Sequence, residues 1–119
     1  MKTEQFTIPN TTFAVTFHIG KSQQENHGII DMGQPDDLWF HLAGTSSSHV
    51  VALLSSAGAI DRKMRGAIIR RGALLCKMNT AKATSAKNIA VTYAKCKDIT
   101  KGATPGQVLI HGESHIITI

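Results

Sequence analysis

The segment Asp36-Asp37-Leu38-Trp39-Phe40-His41-Leu42, followed after a short turn by Ser46-Ser47-Ser48-His49-Val50-Val51, restricts this chain more than any other stretch. Alternation along a strand puts Asp37, Trp39 and His41 on one face and Leu38, Phe40 and Leu42 on the other. The second set is an apolar packing surface. The first combines an acid, the only tryptophan and an imidazole, groups that are costly to bury without partners. A second strand, His49 to Leu54, lies antiparallel to the first through Gly44-Thr45-Ser46-Ser47 and brings His49 near His41. Together they frame a polar, hydroxyl-rich corner.

The remainder reads as an α+β order. Thr11 to Ile19 is rich in Thr, Val and Phe and reads as a strand ended by Gly20. Ser22 to Ile30 is short, polar and weakly helical, and a turn follows around Gly33 to Pro35. After a small-residue loop, Ser55 to Ala59, the period changes: Ile60, Met64, Ala67, Ile68, Leu75 and Met78 fit one helix face, with Asp61 near its start. Gly66 and Gly72 each weaken that helix by roughly 1 kcal/mol relative to Ala, so both mark candidate sites of close packing on a sheet. Past the polar stretch Asn79 to Asn88, strands return at Ile89 to Ala94, Gln107 to His111 and His115 to Ile119. The last two are joined by Gly112-Glu113-Ser114 as a hairpin.

Charge is uneven along the chain. Of 13 basic residues only Lys2 and Lys21 precede Asp61, where Glu4, Glu25, Asp31, Asp36 and Asp37 also lie. Arg62, Lys63, Arg65, Arg70, Arg71, Lys77, Lys82, Lys87, Lys95, Lys97 and Lys101 follow, with Asp98 the single acid among them. Such a block suggests a polyanionic partner, because phosphate contacts dominate sequence-independent affinity. On the helix, Lys63, Arg70 and Lys77 fall on one stripe beside the apolar face, successive members about 10 Å apart. Arg62 lies further round the solvent side. Arg71 points into the apolar stripe, where it pairs with a carboxylate or snorkels.

Several chemistries are disfavoured. Gly20-Lys21-Ser22 lacks the earlier glycine of a phosphate-cradling loop, since Val15 stands at that position. His18, His27, His41, His49, His111 and His115 show no H-E-x-x-H spacing, and Cys76 and Cys96 are too far apart for a zinc pair. Both cysteines read as free buried thiols. Ser48, His49 and Asp37 are the residue types of a nucleophilic triad, but no G-x-S-x-G surrounds the serine. No run approaches the ~18 apolar residues of a membrane span, and Met1 to Gly20 has no secretory pattern, so a cytoplasmic site of action is expected. Trp39 reads as a packing residue rather than a stacking platform. His41, Ser48 and His49 are open between a hydrogen-bonded core role and contacts to phosphate or ribose oxygens.

Asp-Leu-Trp-Phe-His followed by Ser-His-Val-Val resembles the signature of the NFACT-R domain, the RNA-binding module of ribosome quality control factors that add C-terminal tails to stalled chains. Phe17-His18-Ile19-Gly20-Lys21 with Glu25-Asn26 resembles the family's opening strand and turn. Val91-Thr92-Tyr93 with Lys97 and Lys101 resembles its Val-x-Tyr strand and trailing lysines. Gly102-Ala103-Thr104-Pro105-Gly106-Gln107-Val108 resembles its approach to the last hairpin. The likeness runs from about Phe13 to Ile119 and is strongest to the short eukaryotic members. It implies RNA, either tRNA or rRNA, as partner, with Lys21, Lys97 and Lys101 as backbone contacts in turns or loops. Thr100 stands where many members have a second lysine. The chain lacks the other domains of the full-length factors, so tail synthesis is not expected of it.

The sequence thus predicts one α+β domain over residues 1–119, a mostly antiparallel sheet with one long helix packed on a face. It is expected to bind nucleic acid without catalysis, metal or cofactor, through Lys21, His41, Ser48, His49, Arg62, Lys63, Arg70, Lys77, Lys97 and Lys101. Sparse aromatics argue for weak base preference. Alternatives are a DNA-binding domain, or an adaptor that docks on the ribosome or another protein factor.

Overall fold

The computed structural model describes residues 1–119, the side chains of residues 56 and 57 excepted. In chain order the elements are β1 (Lys2–Thr7), β2 (Ala14–Gly20), α1 (Gln23–Ile29), β3 (Leu38–Leu42), β4 (His49–Leu53), α2 (Arg62–Met78), β5 (Ala90–Lys95), β6 (Ile99–Lys101), β7 (Val108–Ile110) and β8 (His115–Thr118). Six strands form one antiparallel sheet in the order β1-β2-β4-β3-β5-β8, and β6 and β7 make a separate ribbon. Trp39 lies opposite Val51 on β4 and Ala94 on β5, which puts the expected strand pair at the centre of the sheet.

Alternation then decides which layer each residue enters. Val15, Phe17, Ile19, Leu38, Phe40, Leu42, Val50, Ala52 and Val91 share a core with Ile68, Ala73, Leu75 and Cys76 of α2. Trp39, Val51 and Ala94 leave the opposite face and pack with Ile29, Ile30 and Ile99. The sheet is therefore covered on both faces, by α2 on one side and by α1 and the ribbon on the other. The expectation of one long helix on a face is corrected to two helices of 7 and 17 residues on opposite faces. The short polar α1 is held by Ser22, whose side chain accepts from the Glu25 N–H, and by Asn26 beneath the sheet.

α2 starts where its sequence indicates, with the Asp61 carboxylate accepting from the Met64 N–H at 2.8 Å. Its buried row is Ile68, Gly72, Ala73, Leu75 and Cys76. Met78, expected on the apolar face, is 51% exposed because Cys76 closes that face one turn before the Asn79 cap. The two glycines differ. A Cβ on Gly72 would sit 2.3 Å from the Phe40 ring, whereas one on Gly66 meets nothing within 4 Å. Only Gly72 marks close packing. Arg71 leaves the buried row to form a two-pronged pair with Glu4, Nε and Nη2 each 2.9 Å from a carboxylate oxygen, with its guanidinium 5.4 Å above Phe6.

Three further expectations change. The strand expected from Thr11 begins at Ala14, and β1 was not anticipated: its polar sequence is recruited by pairing with β2 from Lys2↔Ile19 to Thr7↔Ala14. The chain's last two strands are not a hairpin, since β7 pairs with β6 and β8 crosses to pair with β5. The Ser55 to Ala59 loop opens in a 3-10 turn, Leu54–Ala57, and the side chains of residues 56 and 57 lie outside the described residues.

The glycine contrast gives a paired prediction. Gly72→Ala should destabilise the domain by about 1–3 kcal/mol through overpacking on Phe40, while Gly66→Ala should stabilise it by about 0.5–1 kcal/mol. Urea unfolding of the two variants checks both signs.

Candidate nucleic-acid interface

α2 carries Arg62, Lys63, Arg65, Arg70, Arg71 and Lys77 and no carboxylate within its span. Among the described residues only Arg71 of these six has an ion-pair partner. Lys63 and Arg70 are exposed and line a cleft of about 550 Å³ between α2 and the turn Ile8–Thr11. Lys77 is half-buried one further heptad along, and Arg62 is exposed at the first turn. The stripe expected on α2 is thus present as a run of unneutralised cations. Arg65 falls on the other flank, where it lines a smaller cavity with Tyr93, Lys95, Lys97 and His115. Helical spacing from Lys63 could not bring Arg65 and Lys95 together; only the β3–β5 register, with Lys95 opposite Leu38, does so.

The lysines outside α2 are placed differently. Lys97 sits in a 3-10 turn and shares Asp36 with Lys95, at 3.9 and 3.7 Å. Such exposed pairs are weak and exchangeable. Lys101 ends β6 rather than lying in a loop, and is bound to Asp31. Lys21 is exposed after β2, its backbone N–H donating to Glu25. Glu25 also takes the terminal ammonium at 2.8 Å, and that contact followed by the Lys21 N–H holds its carboxyl below the ordinary range. Lys97 and Lys101 line one cleft with Asp31, distinct from the cleft lined by Lys63 and Arg70.

The corner of β3 and β4 is built from partners that the sequence alone could not assign. Trp39 Nε1–H donates to His49 Nδ1 at 3.2 Å. Because the indole only donates, His49 must be neutral with its proton on Nε2. His41 stacks on Trp39 (5.7 Å between centroids, 11° between planes) and meets the His49 ring edge-on at 4.7 Å. Asn26 of α1 accepts from the His49 backbone N–H at 3.0 Å and donates to the Ser47 carbonyl at 3.3 Å. Ser48 is buried, its hydroxyl donating to the Asn79 carbonyl at 2.7 Å and its N–H to the Thr80 hydroxyl at 3.0 Å. Ser48 therefore ties the corner to the end of α2. Asp37, a candidate partner for a histidine, instead accepts from the Gln34 and Ser55 N–H groups at 2.7 and 3.3 Å.

Burial is the main cause of the corner's proton affinities. It lowers His41, and it lowers His49 to about 3, with the neighbouring His41 adding to the effect. The thiols move the other way, Cys76 to about 11 and Cys96 to about 12, again chiefly through burial. Neither is a poised nucleophile. Among the described residues no group of three His, Cys, Asp or Glu side chains is placed to hold a metal ion, and no helix is long and apolar enough to cross a membrane.

A sheet covered on both faces thus carries an acid-free basic helix along its outside, a charge distribution complementary to a polyanion. Residues 3–117 match the NFACT protein RNA binding domain, and the chain belongs to that family. RNA in general is the partner class this membership supports. Coiled-coil domain-containing protein 25 from Bos taurus is 30% identical over 105 residues, covering 87% of this chain and 50% of that protein. Its Mus musculus counterpart is 29% identical over 103 residues, covering 85% and 49%. The chain spans about half the length of these curated relatives. The structure of the C-terminal part of the fibronectin/fibrinogen-binding protein from Streptococcus suis superposes with a TM-score of 0.76 over 100% of this chain and 45% of that one. At 21% identity this likeness shows the fold.

The depressed His49 has a defined pH signature. The unfolded chain binds a proton near the ordinary value of 6.5 while the folded one resists until about 3, so stability is fully present above 6.5 and is lost progressively as pH falls through that window. Urea midpoints of the native domain should drop between pH 7 and 5, before most carboxylates titrate, and His49→Gln should flatten that drop.

Proposed function

We propose that this domain binds RNA through the solvent side of α2, with the phosphate backbone following Lys63, Arg70 and Lys77 and with Arg62 beside them. The observation that carries the reading is a helix of 17 residues with six basic side chains, no acid and one ion pair. Cations so arranged repel one another and gain from an incoming chain of phosphates, which also releases its counterions. The surface readouts are backbone contacts, so sequence preference is weak.

We further propose that this activity serves ribosome-associated quality control, with tRNA or rRNA as the RNA; family membership supports RNA binding in general. In that reading the domain acts in the cytoplasm as a non-enzymatic binding module, needing neither metal nor cofactor. Its buried His49 and high-pKa thiols suit positioning rather than bond-making. Lys21, Lys97 and Lys101 lie outside the stripe and supply secondary contacts, the latter two by exchanging Asp36 and Asp31 for phosphate.

Binding to labelled tRNA, single-stranded RNA and duplex DNA across a salt series tests this. RNA should bind more tightly than DNA, and changing Lys63, Arg70 and Lys77 together to Glu should weaken RNA binding and reduce the log-log salt slope by about 2–3. Equal affinity for duplex DNA would broaden the partner to nucleic acid in general. Binding indifferent to the triple change would overturn the α2 mechanism and turn the search toward a protein partner.

A further inference from the structure

The corner opposite α2 encloses a cavity of about 370 Å³ lined by Trp39, His41, Thr45, Ser46, His49 and Gln107 among others. That volume lies within the range of small-ligand sites. Two of its features are not explained by packing. His41 ends the Trp39–His41 stack half-buried, with part of its ring on the cavity wall. His49 is buried and lines the cavity, and Trp39 leaves its ring proton on Nε2, for which no acceptor is found among the described residues. A stacking face beside an unused N–H donor is the pair of contacts that single-stranded RNA recognition employs.

The cavity also lies at the end of the cation row. Ser48 binds Asn79 and Thr80, which draws the last turn of α2 against the β3–β4 turn. Five residues after Lys77, Lys82 places its ammonium 2.6 Å from the Thr45 hydroxyl, on the cavity rim. A backbone running past Lys63, Arg70 and Lys77 therefore meets a further cation where the cavity opens. We propose that this cavity takes one unpaired nucleobase of the RNA strand, stacked at His41 and accepting from His49 Nε2–H, with an adjacent phosphate on Lys82. The proposal rests on the α2 reading for the path of the strand, but the cavity itself is open to a lone nucleotide. Every base has a ring nitrogen or carbonyl that accepts a hydrogen bond, so the site selects unpaired over paired bases rather than one base over another.

Trp39 is the sole tryptophan and a wall of the cavity, so its fluorescence reads occupancy directly. The probes are a single-stranded RNA decamer, the same decamer with abasic positions, the decamer in duplex form, and uridine and adenosine monophosphates. The intact single strand and the mononucleotides should quench Trp39, while the abasic and duplex forms should bind without quenching, the abasic one about tenfold more weakly. His41→Ala should abolish both the quench and the preference for intact RNA, and His41→Phe, which retains a stacking ring, should restore them. The Lys63, Arg70 and Lys77 to Glu change should weaken both decamers yet leave the mononucleotide quench in place. Equal binding of intact and abasic strands with Trp39 unchanged would overturn the cavity proposal and leave the α2 reading standing. A mononucleotide quench alongside decamer binding that ignores the triple change would uphold the cavity and remove α2.

Discussion

Trp39 and Phe40 are successive residues of a central strand, so they leave the sheet in opposite directions and each needs a cover. Phe40 finds it in α2, where only glycine at position 72 lets the helix backbone approach the ring. Trp39 finds it in α1 and the β6–β7 ribbon, in a core with Ile29, Ile30 and Ile99. The three-layer arrangement follows from that single pair.

The two covers differ in kind. The α2 side is almost wholly apolar inside, so every basic side chain of that helix, Arg71 with its Glu4 partner included, is driven to its rim and outer surface. The opposite side buries polar groups and must satisfy them, which it does through the Trp39–His49 bond and the Asn26 bridge, while Ser48 bonds Asn79 and Thr80 at the end of α2. A surface of free charge and a corner of fixed donors are thereby held at set positions by one sheet.

Much of this was legible in the sequence. The central strand pair, the faces of Leu38, Phe40 and Leu42, the meeting of His41 and His49, the Asp61 start of α2 and the row Lys63, Arg70 and Lys77 all depend on local period, which a sequence displays. β1 was missed because its alternating residues are mostly polar and it exists by pairing with β2. The β8 crossing and the Arg65–Lys95 neighbourhood depend on long-range register, for which a sequence gives no local sign. Residue types at the corner were visible, but not their partners: Asp37 serves a turn, and tryptophan, not an acid, orients His49.

The absence of acids from α2 also means that dissolved salt acts on this protein in two opposed ways. Counterions screen the mutual repulsion of Arg62, Lys63, Arg65, Arg70 and Lys77, easing the free helix, and the same ions compete with phosphate for those side chains. The unliganded domain is thus least comfortable in dilute buffer, where the proposed α2 mode would hold RNA most tightly. In the proposed binding mode, some of the binding energy is relief of a repulsion that the fold carries whenever the helix is bare.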